Sequence, residues 1–175
     1  MPSQKIHRIA MSGAFAALTC VATMLLSIRS PMGGYFNMGD TMLLLSALLL
    51  GKKWGTVAGA MGAALADVFL AFFIYAPATL VIKALTALTA VLLWELFRKK
   101  NYFVLILACI LGELVMAGGY FLYELFLYDL GGSWQNLLST NLPQAAINAV
   151  IASLIFFLLE KTKLSEHIKG GKTHV

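Results

Sequence analysis

The sequence predicts an all-α membrane protein: a bundle of six transmembrane helices with the N- and C-termini cytoplasmic. Three observations carry that expectation. Of 175 residues, 60% are apolar and only 12% charged, against about 45–50% and about 25% in soluble globular domains. Mean hydropathy is +0.83. Six apolar stretches fill the chain, and a helical span takes about 20 residues, so residues 1–175 read as a single integral membrane domain. A soluble domain is excluded, as is a disordered chain, which needs low hydrophobicity and high charge. Cys20 and Cys109 sit in apolar runs and make no disulfide framework.

The first span is expected at 9–28. It is too long for a signal-peptide core and has no small-x-small cleavage site; Leu18-Thr19-Cys20 is a poor lipoprotein site. A short second span, 38–50, ends at Gly51-Lys52-Lys53. The third is expected at 54–74, and the fourth at 76–97 with Pro77 in its first turn, where proline fits a helix. A fifth covers 102–128. After a Gly131-Gly132 loop, a sixth covers 142–159.

Charge sets the orientation. Lys5, Arg8, Lys52, Lys53, Arg98, Lys99, Lys100, Lys161, Lys163, Lys169 and Lys172 fall on one side of these spans. Only Arg29 falls in a connection on the other, and Lys83 lies within a span. Positive residues collect on the cytoplasmic side, so both termini are expected inside. The same asymmetry accounts for the net charge of +5, and no nucleic-acid partner is implied.

Charged groups inside a bilayer cost several kcal/mol and usually face a cavity or a partner. Asp67, Lys83, Glu113 and Glu124 fall within spans, and Asp40 opens the second. Except for Glu113 near the midplane, the unusual polar groups share the outer half. Asn141, Gln144 and Asn148 lie on one helical face; Glu113, Tyr120 and Glu124, with Met116 and Tyr123 beside them, make another; Thr79, Lys83 and Thr86 make a third. Three polar stripes suggest one pocket open to the outside. The plainer alternative pairs Lys83 with Asp67 or Glu124 and lets the amides join helices.

The connection Ser30-Pro31-Met32-Gly33-Gly34-Tyr35-Phe36-Asn37 breaks the helix, and Tyr35 and Phe36 suit either a lid over a flat ligand or an interfacial aromatic belt. Trp134 is open to the same two readings. Small residues repeat along the first helix at Ala10, Gly13, Ala14 and Ala17, and along the third at Gly55, Gly59 and Ala63. Such faces pack helices closely or dock another membrane protein. No enzyme chemistry is legible: His7, His167 and His174 lie in the tails without a metal-site pattern, and there is no phosphate-binding loop or nucleophile motif. The expectation is a binding module with no catalytic residue, metal or cofactor.

The segments Tyr35-Phe36-Asn37-Met38-Gly39-Asp40, Leu50-Gly51-Lys52-Lys53-Trp54-Gly55, Ala64-Leu65-Ala66-Asp67, Tyr75-Ala76-Pro77-Ala78-Thr79-Leu80-Val81-Ile82-Lys83 and Asn141-Leu142-Pro143-Gln144 carry a resemblance. In order and spacing, from about residue 9 to 160, the chain resembles the substrate-binding S components of energy-coupling factor (ECF) vitamin transporters. Within these it is similar to the group of hydroxymethylpyrimidine, vitamin B6 and riboflavin binders. The resemblance implies a six-helix subunit of a prokaryotic plasma membrane that binds a vitamin under the loop between helices one and two. It also implies delivery by toppling against a transmembrane coupling protein, powered by two cytoplasmic ATPases. An Ala-xxx-Ala face of the first helix would meet the coupling protein, through Ala10/Ala14 or Gly13/Ala17.

The expected ligand is pyridoxine-like or hydroxymethylpyrimidine. Tyr35, Phe36, Tyr120 and Tyr123 would enclose its ring, and Asn37, Asn141, Gln144 and Asn148 would read its edge. Thr79, Lys83, Glu124 and Asp67 would bind its hydroxyls or hold one another. Riboflavin is the alternative within the family; outside it, a stand-alone channel or exporter, or a membrane hydrolase using Glu113 or Asp67.

Overall fold

This molecule buries charged and amide side chains and leaves many large apolar ones on its surface, unlike a water-soluble protein. The computed structural model describes residues 2–30, 33–97 and 101–168. Pro31, Met32, Arg98, Lys99, Lys100, Lys169, Lys172 and His174, which entered the loop, charge and metal-site arguments, lie outside the described residues. Large apolar side chains such as Leu18, Val57, Met61, Val81, Phe103, Leu122 and Val150 are exposed, whereas Asp40, Asp67, Lys83, Glu113, Glu124, Gln144 and Asn148 are buried. Lipid solvates the first set, and only the interior can solvate the second. Four helical stretches are long and apolar enough to cross a membrane: Gln4–Leu25, Ala76–Leu96, Tyr102–Leu127 and Leu130–Lys161. The chain is a helical membrane protein.

Helix α1 (Pro2–Leu25) buries Phe15, Thr19, Cys20 and Thr23. Its threonines satisfy their hydroxyls within the helix, Thr19 on the Phe15 carbonyl at 2.8 Å and Thr23 on the Thr19 carbonyl at 2.7 Å. The expected first span ran three residues further. Instead, Ser27–Arg29 (β1) pairs antiparallel with Tyr35–Asn37 (β2) in a small hairpin, Ile28 opposite Phe36.

Helix α2 (Gly39–Phe69) joins two of the expected spans, and Gly51 divides it. At φ 83°, ψ 175°, Gly51 is in a conformation that costs glycine little, and the chain folds back there. The arms 39–50 and 52–69 pack antiparallel at minimal distance: a Cβ on Gly55 would lie 2.0 Å from the Ser46 carbonyl oxygen, and one on Gly59 2.6 Å from Leu43. The Ser46 hydroxyl crosses the gap to the Gly55 carbonyl at 2.7 Å. The second arm stops at Phe69 rather than 74. Ala71 takes a left-handed φ of 63°, and the Phe72 N–H returns to the Asp67 carbonyl at 2.8 Å, the bond that closes a helix C-terminus.

Helix α3 (Ala76–Leu96) carries proline in its first turn. Helix α4 (Tyr102–Leu127) begins at Asn101, whose side chain accepts from the Val104 N–H at 2.9 Å. The expected Gly131-Gly132 loop is instead helix α5 (Leu130–Asn136), because the Asp129 carboxylate caps it on the Gly132 N–H at 2.8 Å. A π-helical turn, Leu137–Asn141, leads into α6 (Leu142–Lys161). Pro143 supplies no N–H to the turn before it, and a widened turn is how a helix accommodates such a gap. A last short helix, α7 (Leu164–Ile168), lies by the start of α1, where His7 Nε2 is 3.0 Å from the Ile168 carbonyl.

The molecule therefore has two unlike ends. Around the Gly51 turn, the first half of α1 and helix α7, Leu44, Leu48, Trp94, Leu105 and Phe156 make an apolar core. Toward the hairpin, the interior is polar.

Candidate functional site

The largest polar cluster of the interior is built on a charge that the hairpin end cannot leave unpaired. Lys83 and Asp40 are 2% and 1% exposed, and the Lys83 ammonium lies 2.6 Å from Asp40 Oδ1 and 2.7 Å from Oδ2. The pairing proposed with Asp67 or Glu124 is thus replaced by one with Asp40, the first-turn acid of α2. Gln144 Nε2 also donates to Asp40 Oδ2, at 2.6 Å. The Gln144 Oε1 in turn accepts from the Asn37 backbone N–H at 2.8 Å and from Asn37 Nδ2 at 3.3 Å. Asn148 clamps the same strand: its Nδ2 donates to the Asn37 carbonyl at 3.0 Å, while its Oδ1 accepts from the Thr41 N–H and hydroxyl at 2.9 and 2.7 Å. Buried polar groups must be paired in this way, so α2, α3 and α6 are locked to the hairpin.

Above this network lies a cavity. Tyr35, Asn37, Asp67, Thr79, Lys83, Tyr120, Glu124, Asn141 and Gln144 all border it, as do Thr23, Gly34, Ala63, Tyr75 and Asn136. Its free space is about 30 Å³, room for about one water molecule. The hairpin is its roof. Strand alternation turns Tyr35 and Asn37 to one face and Phe36 to the other, so Phe36 does not border the cavity. Tyr35 donates its hydroxyl to Asp67 Oδ1 in a short hydrogen bond and packs on Phe72 with ring centroids 4.9 Å apart. Burial, reinforced by the Asp67 carboxyl, raises the Tyr35 hydroxyl far above its ordinary pKa, so it remains a donor.

The aromatic wall is Tyr75 and Tyr120, 6.4 Å apart between centroids, with the Lys83 ammonium 5.1 Å from the Tyr120 ring. Tyr120 and Thr79 share a hydrogen bond at 2.8 Å. Tyr123 is turned away, donating to the Ile74 carbonyl at 2.5 Å. Asn148 sits behind the wall in the network. Glu113 is fully buried and unpartnered but does not border the cavity. Trp134 packs outside, on Phe121 at 5.0 Å.

Sequence reading missed Asp40 as Lys83's partner, and it missed Tyr75 and Asn136. Asn136 holds the roof, accepting from the Ser30 hydroxyl at 2.7 Å while donating to Glu124 Oε1 at 2.5 Å. It was hidden by reading its segment as a loop; the Asp129 cap, followed by a helical run, was the available signal. At the roof's tip, Gly33 has φ 93°, and a Cβ there would lie 2.0 Å from the Tyr128 hydroxyl. On the opposite side of α1, Ala10, Gly13, Ala14 and Ala17 are all exposed, and nothing lies within 4 Å of where a Gly13 Cβ would be.

A helical membrane protein with a roofed, polar and aromatic cavity at one end has the form of a small-solute receptor rather than a pore. The family model described as the ECF-type riboflavin transporter S component matches residues 3–163, and the chain belongs to that family. It is therefore a substrate-binding subunit of an ECF transporter. A protein of Pyrococcus woesei, described as an uncharacterized protein in the gap 3' region, is 35% identical over 142 residues, covering 81% of this chain and 93% of that one. The solved S component of a bacterial ECF transporter superposes with a TM-score of 0.62 at 21% identity, over 94% of this chain and 99% of that chain. At that identity the likeness concerns the fold.

Proposed function

We propose that this subunit captures a small planar vitamin or vitamin precursor, pyridoxine-like or hydroxymethylpyrimidine, in the cavity beneath the hairpin. The observation that carries the reading is the roof itself: Tyr35 closes over Asp67 above a wall of Tyr75, Tyr120, Asn141 and Gln144. Aromatic faces would enclose a ring, while amides and carboxyls would read its edge. Free space of about 30 Å³ is far below the roughly 300 Å³ of small-molecule sites. Entry therefore requires the hairpin to lift and its bond to Asp67 to break.

In this reading residues 1–175 form one domain with six spans, the arms of α2 counting separately, in a prokaryotic plasma membrane with both termini inside. The subunit does no chemistry of its own. It hands its ligand over by toppling against a transmembrane coupling protein driven by two cytoplasmic ATPases. The exposed small-residue face at Ala10, Gly13, Ala14 and Ala17 supports docking there, since small residues let helices approach closely.

Riboflavin is the second reading, favoured by the description of the matching family. Calorimetric titration of purified protein with pyridine, pyrimidine and flavin vitamins tests both. Saturable binding of one is expected, and no binding to any of the three groups refutes the ligand class.

A further inference from the structure

We propose that the cavity selects a cationic or amine-bearing nitrogen heterocycle and rejects anionic vitamins and phosphate esters. This rests on the reading of the cavity as the vitamin site and adds the ligand's charge class. Lys83 is the one cationic side chain bordering the cavity among the described residues, and its ammonium is committed to both oxygens of Asp40. That pair cancels.

Two acids remain, Asp67 from the second arm of α2 and Glu124 from α4, 2% and 1% exposed. Each has one satisfied oxygen, Asp67 Oδ1 through Tyr35 and Glu124 Oε1 through Asn136. The other oxygens, Asp67 Oδ2 and Glu124 Oε2, are buried without a partner. Thr79 is a hydrogen-bonding neighbour of the Asp67 carboxyl and Asn141 of the Glu124 carboxyl, but neither closes to hydrogen-bond distance on Asp67 Oδ2 or Glu124 Oε2, and Asn141 Nδ2 has no partner at that distance. Arg29, in the hairpin, lies with its guanidinium 5.7 Å from the Phe72 ring, and neither residue borders the cavity.

Unpartnered buried carboxyl oxygens are unfavourable. A ligand carrying N–H donors or a protonated ring nitrogen satisfies them with charge-assisted bonds. The tyrosine faces add attraction for a cationic ring. Asn141 Nδ2 would then donate to a ligand oxygen or ring nitrogen. A phosphate or carboxylate brings acceptors rather than donors and would leave both carboxyl oxygens unpaired.

The test titrates wild-type protein in nanodiscs with pyridoxamine, the hydroxymethyl aminopyrimidine, pyridoxine, riboflavin, pyridoxamine phosphate, flavin mononucleotide and benzyl alcohol, a carbocycle with neither an amine nor a ring nitrogen. An amine-bearing heterocycle is expected to bind at least about 10-fold tighter than the carbocycle or either phosphate ester. Asp67→Asn and Glu124→Gln should each weaken it by about 10- to 100-fold. If riboflavin or a phosphate ester binds as tightly as the amines, or both variants bind the amine unchanged, the charge class is wrong while vitamin capture stands. If nothing in the panel binds, vitamin capture falls and this inference with it. Should a variant fail to fold, the wild-type panel decides alone.

Discussion

At the scale of single residues, Tyr35 and Lys83 have separable roles. Tyr35→Phe removes the donor to Asp67 Oδ1 but keeps the ring packed on Phe72. The bond is already made in the closed protein, and its loss leaves a buried acceptor unpaired at a cost of about 1–3 kcal/mol, so thermal unfolding should show a loss of that size and stopped-flow a faster opening of the roof to ligand. Lys83→Met strands Asp40 in the interior, which costs about 3–5 kcal/mol. Adding Asp40→Asn removes the stranded charge and keeps an acceptor for Gln144, so the double variant should regain most of the lost stability in thermal unfolding. These residues were partly legible in the sequence because charge and amides are conspicuous in apolar spans. Their partners were not: Asp40 is 43 positions from Lys83, and only tertiary packing selects it over Asp67 or Glu124. Phe36 and Tyr123 do not border the cavity in this structure, and an aromatic's type does not reveal which face of a strand or helix it occupies.

At the scale of elements, close packing and turn chemistry decide. Gly55→Leu would drive a side chain into the Ser46 carbonyl and force the arms of α2 apart, so loss of the folded state on size-exclusion chromatography is expected. Ala71→Gly has the opposite sign. Ala71 holds a left-handed φ of 63°, where alanine is disfavoured by about 1–2 kcal/mol, so glycine should raise the unfolding free energy by about 1 kcal/mol. Long apolar runs made α1, α3, α4 and α6 readable. Helix α5 and the β-hairpin were not, being short and fixed by a cap, by cross-strand pairing and by contacts with Asn136 rather than by periodicity.

At the scale of the whole molecule, the two faces of α1 differ, and the proposed docking to a coupling protein would use the outer one. Thr19 and Thr23 turn inward, and Ala14 and Ala17 turn outward. Replacing Ala14 or Ala17 by tryptophan should leave binding in nanodiscs intact and abolish vitamin uptake by cells carrying the coupling module. Normal uptake by both variants would remove that docking face. The Gly51 turn also bears on how the chain first enters the bilayer. The arm 39–50 is about 18 Å long at 1.5 Å per residue, well short of a hydrocarbon slab about 30 Å thick, and it carries Asp40. Such a segment is a poor candidate for independent partitioning during synthesis. Its passage into lipid should be tied to the arm that follows, so truncating a nascent chain soon after Gly51 should leave the upstream arm accessible to water-soluble thiol reagents through an introduced cysteine.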